Sequence, residues 1–426
     1  MKRYFLKKLP NGLKLLFLPS EDVLSFQVMV LVKVGADYEN KEENGISHFL
    51  EHLAFKGTKN RPSNLLISQE LDYIGAIYNA FTGRELTGYY IRASYKNYLK
   101  ILDIIADLYL NPLFEEKDIE KEKGVILEEM NMYYDDPKSY VWEVWEKLLY
   151  QNQPAGRPII GSKENILRFK KDDFLNYRQK HYHSSSTLIV VSGNFSFKRE
   201  FVKKVITFFE KIPSKKIEKK ARTNDLQNKP QIDLEYRKTD QAHLIIGVKT
   251  FDLFDKRNYP LSILDAILDG GMSALLFQLV REKLGAAYYV GSEISSYLDR
   301  GYWAVYMGVD LNKVEKVLEI FLKEWFKLKK NLDRKTIEKA KSYLNGQIAL
   351  KIENIHSLAS SYGSQELLKG KIETPSQFLK KINSVSLEDA QKVLSDCLKS
   401  EKLNLAMIGP FKNKEKFAKI IEKNYE

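Results

Sequence analysis

The segment His48–His52, which reads HFLEH, places two imidazoles and a carboxylate within little more than one helical turn. In a helix, residues four apart share a face, so His48 and His52 can both reach one ion. Imidazole nitrogens are common ligands of Zn²⁺, and Glu51 lies where it can contact a water on that ion without binding the metal itself. The spacing therefore predicts a zinc site in which Glu51 is the general base of a hydrolytic reaction.

Two neutral histidines do not complete a catalytic zinc site. Such a site usually takes a third protein ligand, often a carboxylate, and keeps a fourth position for water, whose pKa the metal lowers towards about 7. The five-residue pattern alone is equally compatible with a helix whose two histidines merely pack or face solvent, because short motifs also match by chance. The rest of the sequence has to decide between these two interpretations.

The longer segment GISHFLEHLAFKGT, which begins at Gly45, resembles the signature of the inverzincin peptidases, the family of pitrilysin, insulin-degrading enzyme and the mitochondrial processing peptidase. The resemblance implies that the third ligand is a glutamate on a distant helix, which falls on Glu129 in GVILEEMNM. It also implies that Glu122 orients a ligand, and two helical turns place Glu122 and Glu129 on one face. The adjacent Glu128 points about 100° around the helix from Glu129, so we interpret it as structural or exposed.

Two further segments extend the resemblance over essentially the whole chain. In YNAFTGRELTGYY, Asn79 and Ala80 match the family's edge strand, whose free backbone groups pair with an extended substrate. In LFQLVREKLGAAYYVGS, Arg281 and Tyr288 match a family pair that reaches the substrate near the zinc, where an Arg can clamp a carbonyl and a Tyr can stabilise an oxyanion. Tyr289 is the neighbouring alternative to Tyr288. Without the metal motif, an ordinary hairpin arm and a surface ion pair of Arg281 would explain both segments.

The composition is that of an ordinary globular protein, with 44% hydrophobic and 29% charged residues among 426. A formal net charge of +12 raises the question of nucleic-acid binding. The basic residues are interleaved with Glu at helical spacing, which is typical of solvated helix faces, so no nucleic-acid partner is expected. No stretch predicts a transmembrane helix or a signal peptide, and no membrane association is expected. Cys397 is the only cysteine, which excludes an intrachain disulfide and favours a cytoplasmic location.

The segments around the motif alternate between strands and helices. FQVMVLVKVGADYE is typical of a buried strand, AIYNAFTGRELTGYYIRAS of a hairpin, and KNYLKILDIIADLYLN of an amphipathic helix that ends at Asn-Pro. This order predicts an α+β fold, in which helices pack on one face of a mainly antiparallel sheet.

The two halves of the chain resemble each other, which indicates a tandem duplication. LIVVSGNF recurs as LNLAMIGPF, and NPLFEEKDIEKEKG recurs as NLDRKTIEKAKSY, at offsets of 216 and 218 residues. We therefore predict two homologous α+β domains, a zinc-binding peptidase domain over residues 1–211 and a C-terminal domain over 232–426. A Lys-rich, Pro-punctuated linker over 212–231 is expected to join them.

The C-terminal repeat lacks the metal ligands. Sliding the repeats over each other lays Ile263, Ala266 and Ile267 on the three positions that carry chemistry in HFLEH. Apolar side chains do not bind zinc, so the chain is expected to hold about one Zn²⁺ as its cofactor. Because the chain has half the length of the doubled relatives, the resemblance also implies a dimer. A homodimer is the simplest form, and a related chain could replace one protomer.

The resemblance implies a zinc-dependent endopeptidase that hydrolyses unfolded or short peptides inside the clamshell chamber of such a dimer. In the doubled relatives the zinc signature and the Arg/Tyr signature come from opposite ends of one chain. Each zinc site of a half-length dimer is therefore expected to take Arg281 and Tyr288 from the other chain. The competing interpretation is a non-catalytic or partner-dependent subunit of a peptidase heterodimer. Such relatives typically lose one signature, and this chain keeps both, which favours the active homodimer.

Overall fold

The computed structural model describes residues 4–423 and 425. Residues 1–3, 424 and 426, which fall within the two predicted domains, lie outside the described part. The chain forms two compact units, each assembled from separate stretches of sequence. Within the described residues, unit 1 comprises 4–130, 158–221 and 351–373, and unit 2 comprises 131–157, 222–350, 374–423 and 425.

Groups of strands and groups of helices follow one another along the described residues. The strands are β1 (Phe5–Lys8), β2 (Lys14–Pro19), β3 (Ser25–Val32), β4 (Ile77–Thr82), β5 (Thr87–Ser94), β6 (Thr187–Gly193), β7 (Gln231–Tyr236), β8 (Gln241–Thr250), β9 (Ala287–Ser296), β10 (Gly301–Asp310) and β11 (Leu403–Gly409). The α-helices are α1 (Ile46–Leu53), α2 (Asn64–Tyr73), α3 (Tyr98–Leu110), α4 (Glu116–Asp135), α5 (Pro137–Tyr150), α6 (Lys163–Arg168), α7 (Lys171–His181), α8 (Arg199–Phe209), α9 (Asn258–Asp269), α10 (Val314–Asn331), α11 (Arg334–Lys351), α12 (Ile355–Lys369), α13 (Pro375–Asn383), α14 (Leu387–Cys397) and α15 (Lys414–Ile421). A π-helical segment, Phe277–Lys283, lies between α9 and α10. In this described part of the chain, no helix combines the length and the apolar character needed to cross a membrane.

Unit 1 contains a six-stranded sheet in the order β1-β2-β6-β3-β5-β4. Neighbouring strands are antiparallel except β2 and β6, which run parallel. The central strand β3 is buried on both faces. Its Val28 and Val30 belong to one hydrophobic core, and Met29 and Leu31 belong to another, because successive side chains of a strand alternate between faces. The unbroken apolar run of β3 thus reflects cover on both sides of the sheet.

Unit 2 repeats this plan with a five-stranded sheet in the order β7-β11-β8-β10-β9. Here β7 and β11 run parallel, and the other neighbours are antiparallel. The main core of unit 2 lies between this sheet and helices that include α9, α10 and α14. The predicted fold class, two similar α+β domains in which helices pack on one face of a mainly antiparallel sheet, is therefore confirmed. The cover on the other face of each sheet was not predicted.

In each unit, one more helix covers the opposite face of the sheet, and that helix comes from the other half of the chain. Leu358 and Tyr362 of α12 pack on the unit 1 sheet, while Trp145 of α5 packs on the unit 2 sheet. α5 begins at Pro137 and α12 at Ile355, 218 residues later, so the two helices are equivalent members of the repeat. The predicted domain boundaries follow the sequence repeats, and they stay a prediction. The compact units are divided differently, because α5 of the first half belongs to unit 2 and α12 of the second half belongs to unit 1.

Gly363 offers a test of how closely α12 packs on its sheet. A Cβ at this position would lie 2.6 Å from Cδ1 of Leu31 and 2.9 Å from Cγ2 of Val190. We expect Gly363→Val to lower the free energy of unfolding by about 1–3 kcal/mol, because the added methyl groups force these neighbours apart. Thermal denaturation of the variant measures this loss.

Gly346 in α11 provides the matched control, because a Cβ built there meets no atom within 4 Å among the described residues. Gly346→Ala should raise stability by about 0.5–1 kcal/mol, since alanine loses less backbone freedom in a helix. An unchanged melting temperature for Gly363→Val would contradict the close packing of α12.

Candidate metal centre

Helix α1 carries the HFLEH motif on one face because its other face is apolar. Its apolar residues recur at the i, i+3, i+4 and i+7 positions of an amphipathic helix, and all four are buried in the unit 1 core: Ile46, Phe49, Leu50 and Leu53. His48, Glu51 and His52 lie on the remaining, less buried face. With eight residues α1 is too short to be stable alone, so this burial holds the motif in helical form.

The three predicted metal ligands come together in unit 1. Nε2 of His52 lies 3.2 Å, and Nε2 of His48 lies 3.8 Å, from Oε2 of Glu129 in α4. Ligand atoms of the three residues lie within 4.8 Å of one another, and residues 4–423 and 425 contain no other such group of His, Cys, Asp and Glu. Ligands placed tetrahedrally at about 2.0–2.1 Å from zinc are about 3.3 Å apart, so the donor set fits this ion in chemistry and spacing. The neighbouring Glu128 is exposed and does not belong to the group.

Both ring nitrogens of His52 have carboxylate partners. Its Nδ1 lies 3.2 Å from Oε2 of Glu122, two turns before Glu129 on α4. Glu122 is almost fully buried, and its Oε1 forms an ion pair of 2.5 Å with Nζ of Lys56. A carboxylate behind a metal-binding imidazole fixes the tautomer and the orientation of the ring and raises its basicity. Glu122 therefore lies where it can orient the ring of His52, and the ammonium of Lys56 balances the charge of Glu122.

Burial and these contacts shift the pKa values of the two histidines and of Glu129. Burial and the neighbouring charge of His52 lower the pKa of His48 to about 4, so His48 is neutral at neutral pH and offers a lone pair. Burial also disfavours the charged form of His52, but hydrogen bonds with Glu122 and Glu129 outweigh it and raise the His52 pKa to about 9. The hydrogen bond with His52 in turn lowers the pKa of Glu129. A metal that binds here therefore replaces a proton on His52.

Glu51 has the surroundings of a general base. Burial raises the pKa of its carboxyl above the usual range, and a hydrogen bond with Thr82 in β4 partly offsets this rise. General bases work best when their pKa approaches the working pH, and burial is a common way to bring a carboxylate there. Glu51 is close enough to His52 and Glu129 for their charges to act on it, and it lies outside the ligand group.

The strand β4 forms an outer edge of the unit 1 sheet, since within residues 4–423 it pairs only with β5. α1 packs against β4, so this edge lies beside the motif. Asn79 is exposed and its Oδ1 accepts a hydrogen bond of 2.9 Å from the backbone N–H of Ala80, which is itself buried in the core. Backbone groups along an outer strand can pair with an added extended peptide.

Unit 2 holds the second predicted pair. Arg281 lies in the π-helical segment Phe277–Lys283, and π-helical turns are rare and often occur at functional sites. Tyr288 is the second residue of β9 and is 69% exposed. The hydroxyl of Tyr289 lies 2.8 Å from Nδ1 of His243. Of the two neighbouring tyrosines, Tyr288 is therefore the more accessible to a ligand.

Two side chains of this site were missed in the sequence analysis. Lys56 follows His52 by four residues, so helical spacing could have placed it on the face of the motif. Thr82 lies two positions after Ala80 and so shares its face of β4, but its hydroxyl donates to the carbonyl of Ser47 at 3.4 Å and lowers the pKa of Glu51, and both of these residues lie on another element. No spacing rule within one element predicts a contact of this second kind.

Comparisons with known proteins identify the family and the fold that the chain resembles. The family model described as Insulinase (Peptidase family M16) matches residues 20–163, and that described as Peptidase M16 inactive domain matches residues 168–344. The chain is 34% identical to the uncharacterized zinc protease YmxG of Bacillus subtilis, over 97% of this chain and 99% of that protein. It is also 34% identical to an uncharacterized zinc protease of Rickettsia felis, over 96% of this chain and 98% of that protein. A protease from Helicobacter pylori shares the fold with a TM-score of 0.86 at 20% identity, over 96% of this chain and 100% of that chain.

Lys56→Met tests the support behind His52. The change removes the ammonium that pairs with Glu122 and leaves a buried carboxylate without this countercharge. We expect zinc to bind about tenfold more weakly or worse, since partners behind metal ligands typically contribute ten- to hundredfold in affinity. Lys56→Arg keeps the charge and should retain most of the affinity. Titration of metal-free protein against a competing chelator measures both, and equal affinities for Lys56→Met and the wild type would show that Glu122 acts without Lys56.

Proposed function

The chain belongs to peptidase family M16, and on this premise we propose that it is a zinc-dependent endopeptidase that holds about one Zn²⁺ through His48, His52 and Glu129. The observation that carries the proposal is the meeting of these three donors beside the half-buried carboxylate of Glu51. The relatives named zinc proteases support zinc as the cofactor. The broader class, a metallopeptidase, follows from the family.

Zinc bound by these residues would polarise the scissile carbonyl and lower the pKa of a water. Glu51 takes the proton of that water as it attacks, and then delivers the proton to the leaving amine. Its raised pKa suits both steps, because a carboxyl that is too acidic would keep the proton poorly. Glu122 and Lys56 keep the His52 ring in one orientation throughout.

Peptide recognition is proposed to use the backbone more than the side chains. An extended peptide adds to the edge of β4 at Asn79 and Ala80, which binds unfolded or short chains with little regard to sequence. Arg281 holds a peptide carbonyl, and the hydroxyl of Tyr288 stabilises the oxyanion that forms on attack. The exposure of Tyr288 supports this assignment.

A non-catalytic subunit is the second candidate, because one matching family model is described as an inactive domain. That model covers residues 168–344, whereas the three donors and Glu51 precede this range. The repeat within that range has Ile263 and Ile267 buried in the unit 2 core at the positions of the two histidines. The complete donor set in the first repeat favours the active enzyme. A cytoplasmic location stays a prediction based on the single Cys397.

Separating the base from the ligands tests the mechanism. Glu51→Gln removes the proton acceptor and leaves the three donors, so zinc content should stay near one per chain while kcat falls by about 10²–10⁴-fold. His52→Ala and Glu129→Gln should instead lose or weaken zinc binding. Metal analysis and hydrolysis of a quenched peptide measure the two properties. Turnover by Glu51→Gln at the wild-type rate would refute the mechanism, and full zinc content in His52→Ala would refute the ligand assignment.

We further propose that the enzyme is a homodimer that encloses its substrate in a chamber, in which each zinc site uses Arg281 and Tyr288 of the other chain. The basis is the resemblance to relatives of doubled length, and a closed C₂ pair is the commonest way for one chain to form such an assembly. A related chain in place of one protomer would give the heterodimer that the sequence also allows.

Mixing two inactive variants tests the shared site. In a dimer of one Glu51→Gln chain and one Arg281→Ala chain, one site combines both lesions and the other combines intact Glu51 with intact Arg281. Random reassortment gives about half mixed dimers, so about a quarter of all sites should regain wild-type turnover. Each variant unfolded and refolded alone is the control. Activity no higher than the mean of the parents, with mixed dimers confirmed by mass spectrometry, would reject the shared site.

A further inference from the structure

Helix α1, which carries His48 and His52, begins without a capping side chain at its N-cap position. Its N-cap residue is Gly45, which has a φ of 99° and contributes no side-chain cap. The first N–H groups of a helix have no partner within the helix and usually take one from a capping side chain. A helix of only eight residues depends strongly on how its first turn is held.

The missing cap is supplied by Glu39, which is 1% exposed. Its Oε2 accepts hydrogen bonds from the backbone N–H of Gly45 at 2.8 Å and from Nδ2 of Asn44 at 3.2 Å. Its Oε1 accepts a hydrogen bond of 2.9 Å from the backbone N–H of Ser47. The carboxylate of Glu39 therefore bonds to backbone N–H groups on both sides of the start of α1, including that of Ser47, the residue directly before His48.

The backbone around this carboxylate has little room to move. A Cβ on Gly45 would lie 2.8 Å from Cα of Gly161, and a Cβ on Gly161 would lie 2.5 Å from Cα of Gly45, so two backbones are in direct contact. The side chain of Asn44 also donates to the carbonyl of Pro158 at 2.9 Å. Oγ of Ser47 lies 2.9 Å from Oη of Tyr177 in α7. Hydrogen bonds and backbone contacts thus hold the first turn of α1 on several sides, and the hydrogen bonds of Glu39 are among them.

Such a carboxylate is costly to bury. Burial raises the pKa of Glu39 to about 7, although the hydrogen bonds from Gly45, Ser47 and Asn44 favour the ionised form. An apolar side chain would fill the same space without this cost. A carboxylate satisfies these donors because each of its two oxygens accepts hydrogen bonds. Its negative charge also complements the positive end of the helix dipole.

We propose that Glu39 is a positioning residue of the zinc site, which fixes the start of α1 so that His48 and His52 face Glu129. The inference rests on the proposed zinc binding. Glu39 acts through Ser47, whose backbone it holds, and not through contact with the metal or the substrate. It complements Glu122, because Glu122 orients one ring while Glu39 places the helix that carries both rings.

Glu39→Gln is the test variant, since it keeps the shape but places an amide N–H₂ against backbone N–H donors. We expect the zinc dissociation constant to rise about 10–100-fold in chelator competition, and the visible spectrum of the Co²⁺-substituted protein to change. At saturating zinc, kcat should fall about tenfold or more while KM stays within about twofold, because the peptide is bound by β4 and not by α1.

Glu366→Gln in α12 is the matched control, because Glu366 is a buried carboxylate of the same unit that pairs with Lys14 at 2.6 Å. It should lower the melting temperature and leave zinc affinity and the Co²⁺ spectrum unchanged. Folded Glu39→Gln with wild-type zinc affinity and kcat would overturn the proposal. If Glu39→Gln is not recovered folded, Glu39→Asp, which shortens the reach to Ser47, is judged by the same criteria. Failure of both to fold without metal would also overturn it, because Glu39 would then serve the fold as a whole. A wild-type protein that binds no zinc would instead refute the proposed function.

Discussion

The contact between α1 and α4 at the imidazole of His52 is the interaction on which the site depends. One ring nitrogen of His52 meets Glu129 and the other meets Glu122, so two carboxylates two turns apart on α4 hold a single ring from both sides. A ring held at both nitrogens can neither flip nor rotate without losing a charge-assisted hydrogen bond. The position of His48 then follows from the geometry of α1 alone, because residues four apart on a helix share a face. The packing of α1 on α4 thus brings the three donors together.

The same contact sets the electrostatics of the metal-free protein. His52, held between two carboxylates, keeps a proton at neutral pH, and His48, buried beside it, stays neutral. The imidazolium of His52 balances the charge of Glu129. Lys56 balances Glu122 in either state, since its ion pair involves the oxygen that does not face His52. Each of the two carboxylates on α4 therefore has a cationic partner, Lys56 and His52 for Glu122 and His52 for Glu129.

The sequence predicts the features of the site and the fold that depend on spacing within a single helix or strand. The spacing of His48, Glu51 and His52, and the seven residues between Glu122 and Glu129, specify faces of single helices, and the structure places these side chains on those faces. The apolar run of β3 indicated a buried strand, and the structure shows cover on both sides. Contacts between different elements could not be predicted in this way. The hydrogen bond of Thr82 with Glu51 and the cap that Glu39 gives to α1 arise from close approach of backbone segments, and periodicity carries no information on such approach.

The helix exchange is the largest feature that the sequence could not show. α5 and α12 hold equivalent positions in the repeat, and each could in principle cover the sheet of its own half. Nothing in the local pattern distinguishes the two arrangements, because both bury the same apolar faces. The exchange has a physical consequence for the repeats. A sheet buried on both faces needs a second cover, which α12 supplies for the sheet of unit 1 and α5 supplies for the sheet of unit 2. Each half of the chain therefore contributes one helix to a core that is built on the sheet of the other half.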